Sequence, residues 1–377
     1  MHMKNPFVLS PKVDKELFCD RESELQDLLR IVTNGANATL ISPRRMGKTG
    51  LIYRLFDEIK DQKMDIDTFY VDIYATQNTE DFVTAFAEAI FETYEKKTPV
   101  LKKLLKAIGG MKPTLSFDKL TGSPELSLTF NSDDEKLTTL KNIFNFLENH
   151  DKPVIVAFDE FQQIREYKGV YMEAVLRTHI QMLKNVNFIF CGSRRHMMID
   201  MFINARKPFY CSTMPVNLGK IDVDKYSEFI NRLFESNGKA IESEAVEFIL
   251  DFTRCHTFYT QSLCNFIFQN SKRNITLADA RNLAAQLLSL NETIFLQYRS
   301  LLTTQQWNFL KAIAKEGSVL QPMSSKFLSK YSIGTPANSQ RLLSSLIEKD
   351  LILDEISINK SEYFVYDVFF SRWLENN

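Results

Sequence analysis

The sequence predicts an α/β architecture: a parallel β-sheet core, then a helical bundle, then a C-terminal winged helix-turn-helix domain. Three observations carry this expectation. Short apolar runs alternate with amphipathic stretches over residues 1–220, the rhythm of strand–helix units. Residues 221–296 carry helical patterns only. Residues 297–377 place three amphipathic helices ahead of two strands, the order of a winged helix. A chain of 377 residues is long for one core and suits such a division.

The expected core strands are Ala38–Ile41, Thr68–Ile73, Val154–Phe158, Val186–Cys191 and Pro215–Leu218. The runs at Val154 and Val186 are almost continuously apolar, as strands buried on both faces require. Helical patterns lie between them, including Leu51–Ile59 and Phe82–Tyr94. An insertion at about 95–135 interrupts the alternation. It reads as a Lys-rich helix over Val100–Ile108 and a two-stranded ribbon over Thr114–Phe130, a cover for the sheet or a docking point. In the bundle, Asn237-Gly238 is a helix stop, and Glu242-Ser243 and Thr276 are helix starts. The winged helix is expected as helices Thr303–Lys315, Ser324–Tyr331 and Pro336–Lys349, then strands Leu351–Ile356 and Glu362–Phe369.

Composition excludes several function classes. Hydrophobic residues at 44% and charged residues at 25% describe a folded chain. The 46 Lys+Arg against 47 Asp+Glu create no chain-wide field for nucleic acid or anionic lipid, so such a partner needs a local patch. Five scattered cysteines without CxxC or zinc-ligand spacing read as reduced thiols. No secretory apolar region and no run of membrane-spanning length is present, so a cytoplasmic protein without membrane attachment is expected.

Chemistry concentrates at three strand ends. Ser42-Pro43-Arg44-Arg45-Met46-Gly47-Lys48-Thr49 follows the first strand and opens a helix. A phosphate-binding loop needs converging backbone N–H groups, a lysine for charge and a Thr hydroxyl for Mg²⁺. Ser42 replaces the first glycine of the strict pattern. The Val154 strand ends in Asp159-Glu160, delivering two carboxylates to the carboxyl edge of the sheet, where the loop opens. Asp159 would hold a metal, and Glu160 would orient or deprotonate the attacking water. The bland alternative is a helix N-terminus favouring acidic residues. The Val186 strand ends in Gly192-Ser193-Arg194-Arg195, whose Ser193 and Arg194 are candidate γ-phosphate sensors or solvated turn residues.

Together these motifs resemble the STAND class of P-loop ATPases, specifically the archaeal-type ATPase family with its Pro-Arg-Arg-x-Gly-Lys-Thr loop. Phe18-Cys19-Asp20-Arg21-Glu22-Ser23-Glu24-Leu25 is similar to the family's upstream box, which lies against the base. Arg206-Lys207-Pro208-Phe209-Tyr210 resembles a further family segment. The resemblance implies an AAA+-like P-loop NTPase core, a helical lid and a winged helix, with ATP/ADP and Mg²⁺ as ligands. It implies nucleotide contacts from Ser42, Pro43, Arg44, Arg45, Met46, Gly47, Lys48, Thr49, Gly50, Arg21 and Ser193. Glu160, Lys48 and Arg194 would be catalytic, and Thr49 and Asp159 would hold Mg²⁺. Where family lids carry a Gly-x-Pro turn, this chain has Arg254-Cys255-His256.

The implied function is a slowly hydrolysing ATP switch, with a protein partner or self-association expected. The alternative is a DNA-binding, initiator-like ATPase using residues 324–349, where Asn338, Ser339, Gln340, Arg341, Lys326 and Lys330 would meet the duplex. Residues 301–377 hold eight basic and eight acidic residues, a balance that weighs against strong electrostatic DNA binding.

Overall fold

The computed structural model describes residues 5–94, 99–108, 114–117, 124–357 and 360–377. It divides into two compact units, Ser10–Gly219 and Lys220–Asn377, the latter joined by the described residues up to Leu9. Within that unit Phe7 packs at 4.9 Å from Phe234, the Asn5 side-chain amide donates to the Asn265 carbonyl, and the Asn265 side-chain amide donates to the Phe7 carbonyl.

The first unit is built on five parallel strands: β1 (Ala38–Ile41), β2 (Asp67–Asp72), β3 (Val154–Asp159), β4 (Val186–Cys191) and β5 (Met214–Asn217). Their order is β5-β1-β4-β3-β2. Strands β2 and β5 start one residue earlier than the apolar pattern suggests, because Asp67 pairs with Val154 and Met214 with Ala38. Side chains alternate across the sheet. Val154, Val156, Phe158, Phe188 and Phe190 enter one apolar layer, whereas Ile155, Ala157, Ile189 and Cys191 enter the other. The second layer is closed by α1 (Glu22–Thr33) and α2 (Lys48–Asp61). Asp159 follows Ala157 by two residues and so belongs to the α2 face. That alternation positions the site.

The inserted helix, Pro99–Ala107, and the ribbon, Thr114–Phe117 paired with Pro124–Ser127, are both present. Leu104, Ile108 and Leu128 are buried in the first apolar layer, as a cover for the sheet requires.

The second unit begins with helices Val223–Ser236, Ser243–Thr253, Thr257–Asn270 and Leu277–Leu290. Arg254 and Cys255 both adopt left-handed backbone (φ 55° and 53°), so the turn that glycine would favour is made by non-glycine residues. Helices Thr304–Glu316, Ser325–Tyr331 and Pro336–Glu348 precede strands Ile352–Ser357 and Lys360–Val365. The last expected strand is cut short at Val365. Asp367 caps a further helix, Val368–Asn376, by accepting from the Phe370 N–H, and Phe369, Phe370, Trp373 and Leu374 bury its inner face. Arg372 on that helix donates to the backbone carbonyls of Asp251 and Phe252, tying the winged-helix segment to the bundle. Among the described residues, no helix is long and apolar enough to cross a membrane.

Candidate active site

The loop after β1 turns through left-handed Arg45 (φ 61°) and Gly47 (φ 97°) before α2 begins at Lys48. Nothing would crowd a Cβ at Gly47, so conformation and not space calls for glycine there. Ser42 and Met46 are buried, Pro43 and Arg44 half-buried, and Arg45 exposed. Lys48 is buried and spans the loop, its Nζ donating to the carbonyl oxygens of Pro43 (2.9 Å) and Ser42 (3.4 Å) and to Ser42 Oγ (3.3 Å). Burial pushes its ammonium below the usual lysine range, opposed by the nearby Asp159 and Glu160 carboxylates. Gly50 is buried in the first turn of α2, where an added Cβ would lie 3.2 Å from the Pro11 carbonyl oxygen.

The carboxylates arrive as the sheet alternation dictates. Asp159 is 5% exposed, and Thr49 Oγ1 donates to its Oδ2 at 2.6 Å. Tyr70 on β2 donates to the same oxygen at 2.7 Å. The Cys191 thiol and the Glu160 N–H each donate to Oδ1 at 2.9 Å. Burial, followed by the Asp159 charge, pushes both the Tyr70 phenol and the Cys191 thiol up, keeping them protonated as donors.

Glu160 is left-handed (φ 56°), turning the chain from β3 into the short helix Phe161–Glu166. Phe161 anchors this turn, packing on Phe190 (4.5 Å), Phe209 (5.4 Å) and Phe158 (5.9 Å). The Glu160 carboxylate accepts from Ser193 Oγ at 2.7 Å and from Gln162 Nε2 at 2.5 Å. Arg44 Nε in turn donates to Ser193 Oγ at 3.1 Å, linking the phosphate loop to the tip of β4. Gly192 makes room for Gln162, since a Cβ there would fall 1.9 Å from Gln162 Oε1.

Lys48, Thr49, Asp159, Glu160, Ser193 and Arg44 are therefore brought together. Two further expected residues have protein partners of their own. The Arg194 guanidinium pairs with Glu166 at 3.0 Å on the surface. Arg21 is buried and left-handed (φ 77°), with its guanidinium on Glu24 (2.8 Å) and the Gly219 carbonyl (2.6 Å), which makes it a clasp for the start of α1. Arg177 donates to the Pro208 carbonyl. Tyr70, Cys191 and Gln162 escape sequence reasoning because their roles depend on which strands are neighbours and where the turn after β3 folds back.

The donor set suits Mg²⁺. One carboxylate and one hydroxyl are in contact, and among the described residues no cluster of three or more His, Cys, Asp or Glu could form an all-protein cage. A small hard cation that keeps waters and shares phosphate oxygens matches such a set.

The family profile described as "ATPase domain predominantly from Archaea" matches residues 18–259, more than half of the chain. The chain belongs to this archaeal-type ATPase family. A second profile, "Probable winged helix domain", matches residues 293–376 of the same ATPase-family chain. Solved structures share the fold. The Walker-type ATPase PABY2304 of Pyrococcus abyssi aligns with a TM-score of 0.67 at 19% identity, over 98% of this chain and 99% of that one. The Aeropyrum pernix ORC2 protein, in ADPNP–ADP complexes, aligns with a TM-score of 0.57 at 13% identity, over 99% and 97%. The Aeropyrum pernix ORC1 protein in complex with DNA aligns with a TM-score of 0.54 at 12% identity, over 99% and 96%. Among curated proteins there is no significant sequence match.

Proposed function

We propose that this archaeal-type ATPase binds ATP with Mg²⁺ at the Ser42–Gly50 loop and hydrolyses it slowly, as a switch. The observation that carries the reading is the contact of Thr49 with Asp159 beside a buried Lys48, with Glu160 held next to it by Ser193. Thr49 and Asp159 would hold Mg²⁺, which when bound neutralises phosphate charge as a Lewis acid. Lys48 exchanges loop carbonyls for phosphate oxygens. Glu160 accepts a proton from the attacking water, and Ser193 and Arg44 hold the carboxylate and the loop in register. Arg194 would serve the transferred phosphoryl group after leaving Glu166, an exposed pair whose loss costs at most about 1 kcal/mol.

Switching follows if ATP and ADP favour different arrangements of the chain. The lid, 221–296, and the winged helix, 297–377, are proposed to respond together, because Arg372 and Arg254 bind the two segments to each other. Lys48→Ala tests the reading: ATP binding measured by calorimetry should be lost while the fold persists. Retained affinity would refute it.

A second reading, DNA binding through residues 324–349, is favoured by the likeness to ORC1, whose structure is of a DNA complex. The surface chemistry is thinner than the sequence suggests. Ser339 is fully buried and donates to the Pro322 carbonyl, and Lys330 is paired with Glu316 at 2.6 Å. Gln340, Arg341 and Lys326 remain exposed. Duplex affinity that does not appear even at about 50 mM salt would remove this reading.

A further inference from the structure

A carboxylate offers about four lone-pair positions, and protein donors take all four on Asp159. Thr49 Oγ1 and Tyr70 OH share Oδ2, and Cys191 Sγ and the Glu160 N–H share Oδ1. At 5% exposure the group has almost no further surface to offer. A cation held by Asp159, directly or through one of its waters, needs one of these positions, so one donor has to yield.

The four donors are not equally movable. The Glu160 N–H is backbone and belongs to the turn anchored by Phe161. Cys191 is fully buried on β4. Thr49 is in the first turn of α2 and keeps its own lone pairs for a metal while donating its proton. Tyr70 is a half-buried side chain on β2 whose ring lies on Tyr53, also half-buried, at 4.9 Å. Its hydroxyl belongs to a side chain, so leaving Asp159 breaks none of the backbone pairing that holds Tyr70 in the sheet.

We propose that Tyr70 is a latch on Asp159: its phenol holds the lone pair that Mg²⁺ or its water requires, and cation binding displaces it. This rests on the reading of Thr49 and Asp159 as the holders of Mg²⁺. Tyr70 is then a residue that sets Mg²⁺ affinity by competition, and its movement reports the metal to β2 and, through Tyr53, to α2.

The test is calorimetric titration of Mg²⁺ into the full chain saturated with ADP, as wild type and as Tyr70→Phe. Mg²⁺ should bind Tyr70→Phe about tenfold more tightly, the scale of one hydrogen bond to a charged acceptor. ADP affinity in EDTA should not change. A residue that merely supported Asp159 would give the opposite sign. Unchanged or weaker Mg²⁺ binding with ADP binding intact overturns the latch and leaves the ATPase reading standing. Failure of the wild type to bind ADP, or Mg²⁺ with it, overturns both. Independently of any loss of fold in the variant, 3-fluorotyrosine at position 70 should show its fluorine resonance shifting when Mg²⁺ is added. A resonance that does not move contradicts displacement.

Discussion

Gly192→Ala should damage the site through Gln162. A Cβ at this position would fall 1.9 Å from Gln162 Oε1 and 2.7 Å from Met198 Sδ, both far inside ordinary contact. Flexible side chains often give way, but these cannot do so freely. Gln162 is 4% exposed with its Nε2 on Glu160, and Met198 is fully buried. Overpacking of this kind costs about 1–3 kcal/mol. For a unit of the size of Ser10–Gly219, that lowers the thermal midpoint by roughly 2–12 °C. Differential scanning calorimetry reads the shift, and the transition that ATP raises identifies this unit. Removing the obstructing amide should relieve the strain, so Gly192→Ala combined with Gln162→Ala should be less destabilised than the two single variants added together, by about 1 kcal/mol or more. Strict additivity would refute the argument, because it would mean that the new methyl and the Gln162 amide do not meet.

Two further outcomes follow from the same geometry. Burial raises the pKa of Glu173, whose Oε2 has no hydrogen-bond partner among the described residues, although Arg165 and Lys207 pull it down. A carboxyl raised in the folded state binds more protons there than when unfolded, so its effect on stability worsens as pH climbs above the ordinary glutamate range of about 4.3. Glu173→Gln should therefore match wild type near pH 4 and gain on it toward pH 8 in urea unfolding; a difference that does not vary with pH contradicts this. Arg194→Ala should slow single-turnover hydrolysis about tenfold or more while leaving ADP affinity unchanged, measured by quenched flow and calorimetry; an unaltered rate would leave Arg194 with only its surface pair to Glu166.

Much of the fold is written in short-range patterns. Continuous apolar runs such as Val154–Phe158 announce strands buried on both faces, and Gly47 ahead of Lys48 announces the turn into α2. Asp159, Glu160 and Ser193 are legible because they stand at or just after the ends of such strands, and Lys48 and Thr49 because they open the helix after the loop that follows β1. What escaped depends on distant partners. Tyr70 reaches Asp159 only because β2 lies beside β3, and Cys191 only because β4 flanks β3 on the other side. The Arg21 guanidinium, expected beside the nucleotide base, also donates to a carbonyl 198 residues away, a link that sequence spacing does not show. The helix at Val368–Asn376 was hidden because Phe369-Phe370 continues the apolar run of the preceding strand, and only the Asp367 cap separates them.

The most direct test of the central claim is phosphate release from ATP by wild type and Glu160→Gln, followed together with the nucleotide retained on the protein. Slow Mg²⁺-dependent release by the wild type is predicted. In Glu160→Gln it should fall at least about a hundredfold while ATP stays bound. Equal release by the two proteins, or no ATP bound to either, would contradict the account.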